Sequence, residues 1–141
     1  MKFIPEKDLW PINDMWNLHY FGQMAFNAGP ERHTAVIENS YGGAKDAKEF
    51  CMKSQWVSYE SNKALYEGWL DHMWNDATGV MLWMSGASYP SMVWQTYDYY
   101  YDLTGAYFGC KQACEPVHIY WNPVTEEVKV ANTTTKDYDG L

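Results

Sequence analysis

The sequence predicts an α/β fold in which a long helix, a tight turn and a buried strand follow one another, with a short helix and a β-hairpin after them. Three observations carry this. Gly79-Val80-Met81-Leu82-Trp83-Met84 is a continuous apolar run, too short for a free helix and without polar alternation. That is the pattern of a parallel strand covered on both faces. Ahead of it, from Ala44 to about Asn75, residues such as Phe50, Ser54, Val57, Ser61, Ala64 and Leu65 recur at helical spacing. Behind it the period shortens to two, in Val117–Trp121 and Glu127–Ala131.

Taken in order, residues 1 to 30 are rich in Pro, Asn, Asp and Gly, which predicts loop with a short helical turn or so. A compact domain seldom tolerates so long a loop unless it works or belongs to a larger body. The helix from Ala44 to Asn75 carries many small residues, which allow close packing on a sheet. Glu49 and Lys53 form an exposed-face pair on it. Asn75-Asp76-Ala77-Thr78-Gly79 then ends the helix and turns the chain into the strand. Long helix, tight turn and buried strand make one step of a parallel α/β architecture. Residues 90–103 fit a short helix or an ordered loop. Tyr107 to Glu115 reads as a closing helix stopped by Pro116. Asn122 to Glu126 joins the last two strands into a hairpin, which is marginal alone and needs support from a neighbour.

Composition narrows the functional classes. Over 141 residues, 47% hydrophobic and 18% aromatic content argue against disorder. Eight Trp and twelve Tyr are a heavy load of large side chains, and some of that surface is expected to await neighbours. The net charge of −8, without a Lys/Arg cluster, lacks the electrostatic footprint of a nucleic-acid binder. No apolar run approaches the ~20 residues that span a bilayer, so no membrane partner is expected. The start of the chain, with Lys2, Glu6, Lys7 and Asp8, has no secretory hydrophobic segment. Three cysteines are an odd count and do not make a complete disulfide framework. Cys110 and Cys114 would share a helix face, and a metal reading would add His118. The spacing lacks paired C-x-x-C motifs, and buried small hydrophobes account for it better. No metal or cofactor is expected.

The ordered motifs are more specific. Gly-Val-x-x-Trp-Met at 79–84 precedes Pro-Ser-x-x-Trp-Gln-x-Tyr-Asp-Tyr-Tyr at 90–100. Gly-Ala-Tyr-Phe-Gly follows at 105–109, then Glu-Pro-x-His at 115–118 and Val-Lys-Val-Ala-Asn-Thr at 128–133. This series resembles the end of the catalytic barrel in glycoside hydrolase family 2, on the branch of exo-β-glucosaminidases, β-mannosidases and endo-β-mannosidases. Phe3-Ile4-Pro5-Glu6-Lys7-Asp8-Leu9-Trp10-Pro11 and Trp16-Asn17-Leu18-His19 fit the segment that trails the family's nucleophile, so the resemblance covers nearly the whole chain.

The resemblance implies that residues 1–115 are the C-terminal portion of a (β/α)₈ TIM barrel, holding its seventh helix, eighth strand and eighth helix. It implies that residues 116–141 open an immunoglobulin-like β-sandwich. A complete barrel takes ~250 residues, so this chain supplies a part. The implied parent is a retaining β-glycosidase that hydrolyses O-glycosidic bonds in carbohydrates, most like an exo-β-D-glucosaminidase. β-Mannosidase and endo-β-mannosidase are the alternatives within the family. Retention needs two carboxyl groups ~5 Å apart. In the family these are Glu residues at the ends of the fourth and seventh strands. This chain is expected to begin after the seventh, to carry no catalytic residue and to be inactive alone. Its implied partners are an oligosaccharide or glycan substrate and the remainder of the barrel and sandwich. The compartment is open, and the resemblance is compatible with an extracellular or periplasmic parent.

By the same resemblance, Trp83 near the C-terminal end of the eighth strand would wall the subsite that holds the cleaved sugar, its indole stacking on the ring. A core Trp in the barrel's upper layer would have the same signature. Where the family commonly carries polar amides and a second Trp, this chain has Ser85, Gly86 and Tyr89. Ser85 and Tyr89 would offer hydroxyls to the sugar. Trp10, Trp16 and His19 are further pocket candidates, or else they staple the first segment to the barrel rim. Trp94 and Gln95 fit a structural role, and Asp98 fits a phenol or backbone acceptor rather than a catalytic acid. A standalone sugar-binding module is the reading from another class. Aromatic abundance favours it, and the order of elements does not.

Overall fold

Two helices crossing at the closest possible range organise the molecule. The computed structural model describes residues 1–20, 29–92 and 94–140. The part of the expected first loop at 21–28, and positions 93 and 141, lie outside the described residues. Helix α1 is Asp14–His19, α2 Pro30–Tyr41, α3 Ala47–Asp71 and α4 Gly105–Ala113. Strands β1, Val117–Asn122, and β2, Glu127–Asn132, follow. A short 3₁₀ turn at Glu6–Asp8 precedes α1.

Helix α3 is the long helix expected from the periodicity. Asp46 caps it by accepting the Glu49 N–H at 2.8 Å, and Glu49 returns a carboxylate oxygen to the Lys45 N–H at 3.1 Å. The Glu49–Lys53 pair forms at 3.0 Å. The helix stops at Asp71, a turn short of Asn75, because Trp74 turns into the left-handed region at φ 71° and donates its N–H to the Ala77 carbonyl.

Helix α4 lies against α3 through its glycines. A Cβ on Gly105 would run into the Gln55 backbone carbonyl, and one on Gly109 into that of Tyr59. The Gly-Ala-Tyr-Phe-Gly motif is thus a packing device, with the two glycines one turn apart on the contact face. Thr104 begins the helix, yet its hydroxyl goes to the Gln95 carbonyl at 2.7 Å. The orphan N–H of Gly105 is taken instead by the Gln55 side chain of α3.

The main core sits at the other end of α3. Ile4, Trp16, Ile37 and Phe50 are buried together, with Phe3, Leu9 and Trp10 among the residues packed on them. Trp16 meets Phe50 edge-on at 5.4 Å between ring centres. Helix α2, which the apolar periodicity did not predict, contributes Ile37 to this core.

The hairpin forms in antiparallel register, with Val117 opposite Asn132 and Asn122 opposite Glu127. Its turn is held by the Asn122 side chain, which accepts from the Val124 and Thr125 N–H groups at 2.8 and 3.1 Å. The polar face turns inward. His118 Nε2 meets Glu67 of α3 at 2.7 Å, and Lys63 pairs with the same carboxylate. Asp71 accepts from Tyr120, Asn122 and Lys129 at 3.2, 2.8 and 2.7 Å. The apolar face, with Ile119 and Trp121 across from Val130 and Val128, is left exposed at 61% and 54% for the first two.

One expectation is corrected. Gly79–Met84 is not a buried strand: among the described residues it has no ladder, and Met81 is 96% exposed. The segment alternates instead, with Val80, Leu82 and Met84 partly covered and Met81 and Trp83 exposed. A parallel strand takes its hydrogen bonds from neighbours on either side, and the described residues provide none. The 90–103 stretch is an ordered loop rather than a helix where it is described.

Candidate functional site

Beyond Met84 the chain makes a tight excursion that returns to the Trp83 backbone. The Trp94 indole N–H donates to the Trp83 carbonyl at 3.1 Å. The Ser85 carbonyl accepts two donors, the Thr96 hydroxyl and the Tyr97 N–H, each at 2.9 Å. Gly86 and Tyr97 are bridged, as are Tyr97 and Leu103. Asp98 closes the next turn, its Oδ1 accepting from the N–H groups of Tyr100 and Asp102 at 2.8 and 2.9 Å. That is the backbone-acceptor role expected of it. Lys2 reaches Asp102 at 2.8 Å and lies over the Tyr100 ring, tying the first segment to this turn.

Trp83 is 73% exposed, and its backbone carbonyl is held by Trp94. Ser85 beside it is exposed, and Tyr89 is half-buried. An exposed indole with neighbouring hydroxyls is the chemistry that grips a sugar: the flat π-face meets the ring's C–H groups, and the hydroxyls exchange hydrogen bonds.

The structure places the other candidates away from open surface. Trp16 is in the core at 2% exposed, with its N–H on the Asp8 carbonyl at 3.2 Å. Trp10 packs on Phe50 at 5.9 Å. His19 is bonded through Nδ1 to the Pro90 carbonyl at 2.6 Å, and its own carbonyl accepts the Met92 N–H at 3.0 Å. These contacts fasten the first segment to the loop after Tyr89.

Between α3, the first segment and the 91–104 loop lies a cavity of about 520 Å³, walled by Phe3, Trp16, Phe50 and Met92. His33 on its wall has its pKa lowered by burial, and its Nε2 meets the Ser54 hydroxyl at 2.7 Å. Ser91 Oγ and Gln95 Nε2, both on buried residues lining the cavity, have no hydrogen-bond partner among the described residues. Cys51, Cys110 and Cys114 are free thiols whose pKa values burial pushes up. Among the described residues no cluster of His, Cys, Asp and Glu is arranged to hold a metal ion.

The residues that brace this loop were only partly legible in the sequence. Trp94 was read as structural, and Thr96 carried no signal, because a Thr in an aromatic stretch has no marker for the carbonyl it will serve.

Comparison with known proteins places the segment among the glycosidases. No family model matches it. The chain is 33% identical over 125 residues to a mannosylglycoprotein endo-β-mannosidase of Lilium longiflorum, covering 89% of the chain and 13% of that protein. It is 35% identical over 110 residues to an exo-β-D-glucosaminidase of Amycolatopsis orientalis, covering 75% of the chain and 11% of that protein. Among solved structures, the Dictyoglomus thermophilum β-D-mannosidase superposes with a TM-score of 0.80 at 25% identity, over 94% of the chain and 16% of that chain. The exo-chitosanase of Amycolatopsis orientalis superposes at 0.77 and 27% identity, over 91% and 15%. The chain belongs to glycoside hydrolase family 2. It spans about an eighth of the length of the curated relatives it matches.

Proposed function

We propose that this chain closes the catalytic barrel of a retaining β-glycosidase and presents Trp83 to the sugar bound there, with Ser85 and Tyr89 as hydroxyl contacts. The parent enzyme would hydrolyse O-glycosidic bonds in oligosaccharides or glycans, releasing β-linked glucosamine from chain ends. The observation that carries this is the exposed Trp83 indole on a braced backbone, within a segment that matches family 2 glycosidases along most of its length. A β-mannoside substrate is the second reading, favoured by the likeness to the Lilium endo-β-mannosidase and the Dictyoglomus β-mannosidase.

In this proposal residues 1–115 belong to the barrel, Gly79–Met84 is its eighth strand, and 116–141 opens the sandwich. Two features support a larger body: the segment 79–84 lacks a ladder among the described residues, and the outer face of the hairpin is apolar and exposed. The general acid and the nucleophile come from elsewhere in the parent. Asp98, in the loop that follows the site, is engaged by two backbone N–H groups. Trp10, Trp16 and His19 hold the first segment in place rather than touching sugar.

The test is turnover of aryl β-D-glucosaminide and aryl β-D-mannoside by the full-length protein and by its Trp83→Ala variant. The expected result is hydrolysis, with glucosaminide preferred and kcat/KM lowered ~10²-fold or more by Trp83→Ala. A preference for mannoside moves the substrate to the second reading. Hydrolysis untouched by Trp83→Ala removes Trp83 from the site.

A further inference from the structure

Trp83 stands at the end of its segment, where the backbone on either side of Met84 is gripped by the loop that follows. That grip comes from one short stretch. Trp94 holds the carbonyl before Met84, and Thr96 with the Tyr97 N–H holds the carbonyl after it. The stretch is itself anchored. Thr96 is buried, its carbonyl accepts the Thr104 N–H at 3.1 Å, and the Thr104 hydroxyl takes the Gln95 carbonyl. Thr104 in turn begins α4, whose first N–H is held by Gln55 of α3. A chain of hydrogen bonds thus runs from the α3–α4 pair to the backbone on both sides of Met84.

We infer that Trp94 and Thr96 are positioning residues that set the Trp83 indole against the sugar ring, an inference resting on the reading of Trp83 as the sugar platform. The physical reason is the short range of stacking: a gap of ~0.5–1 Å forfeits a quarter to a half of the dispersion well. A platform on an unanchored carbonyl would wander by that much. The two residues work from opposite ends of Met84, so they fix both the height and the tilt of the segment carrying the indole.

The experiment is a double-mutant cycle in the full-length enzyme, read as kcat/KM on the aryl β-glycoside it turns over fastest. Thr96→Val removes the hydroxyl at nearly constant shape, and Thr96→Ser keeps it. Expected are a fall of about tenfold in Thr96→Val and near-recovery in Thr96→Ser. In a Trp83→Ala background the Thr96→Val effect should shrink below about twofold, because the two act as one unit. Trp94→Phe, which removes the indole N–H donor together with part of the ring, should show the same dependence on Trp83 and serves if Thr96→Val folds poorly. Effects that multiply independently of Trp83 would overturn the inference while leaving the platform intact. A wild-type rate in Trp83→Ala would overturn the platform reading instead, and the positioning role with it.

Discussion

At the residue scale, Tyr120 and Asp71 show how one contact is tuned from both sides. Burial, reinforced by the Asp71 carboxylate, pushes the Tyr120 phenol up to about 12. Lys129 first, then the Asn122 amide, holds the Asp71 carboxyl below its ordinary value. The signs are opposite. A raised phenol pKa favours the fold below the unfolded value of about 10 and is lost as pH climbs through the folded value. A depressed carboxyl favours the fold above about 3.9 and is lost as pH falls through the lower folded value. The hairpin should therefore loosen on α3 in strong acid and again in strong alkali, seen as faster amide exchange across 117–132. In Tyr120→Phe the alkaline loosening should be reduced. An alkaline limb identical to wild type would mean another group controls it.

Some residues announced their roles in the sequence, and some did not. Asp98, set among tyrosines, reads as a hydrogen-bond acceptor and is one, although its partners are backbone N–H groups. Trp10 and Trp16 carry no sequence mark that separates a pocket wall from a core, since the indole suits both. In the structure both pack on Phe50, and Trp16 also lines the cavity beside α3.

At the element scale, the α3–α4 contact rests on missing side chains. Gly105 and Gly109 let the helix backbones touch at Gln55 and Tyr59. Gly109→Ala would force the helices apart, and overpacking of this kind costs about 1–3 kcal/mol. The expected readout is a lowered denaturation midpoint of the full-length protein, with an unchanged denaturant slope. A neutral Gly109→Ala would mean the helices shift apart freely. Alanine at Gly68, where a Cβ meets nothing within 4 Å, should be tolerated or mildly stabilising, as expected of an open helix position.

Elements were legible in proportion to how much of their pattern is local. Helix α3 has a long apolar periodicity, which survives in the structure beside an Asp46 N-cap. The hairpin has period-two strands and an Asn at its turn. Helix α2 was missed because a single residue of its middle, Ile37, faces the core, which gives no stripe to count. Its Gly-Pro start and Gly-Gly end were the available signals. The Gly79–Met84 run reads as a buried strand, and within this chain it is neither paired nor buried. Burial of a strand belongs to its neighbours, and a sequence run says nothing of whether they are at hand.

At the scale of the whole molecule, an apolar core coexists with apolar surfaces left open. The hairpin lays its charged face on α3 and its apolar face outward, and the long helix leaves Trp56, Leu65 and Trp69 largely uncovered. The 141-residue chain alone should bind a hydrophobic dye strongly and show no glycosidase turnover on aryl β-glycosides. Turnover abolished by Asp98→Ala would overturn the account of the chain as part of a catalytic body. Dye binding at the level of an ordinary folded domain would mean the exposed faces cover one another in solution.

The junction after α4 has a mechanical meaning. Three residues separate Ala113 from Val117, the Pro116 carbonyl is clasped by the Thr133 N–H at 2.8 Å, and β1 is bolted to α3 by Glu67 and Asp71. Such a joint is a weld and not a hinge. Whatever follows Asn132 leaves in a direction set by the same long helix that, through Gln55, steadies the backbone under Trp83. In the proposed reading, a domain built onto the hairpin would be held at a fixed angle to α3 rather than swing on it.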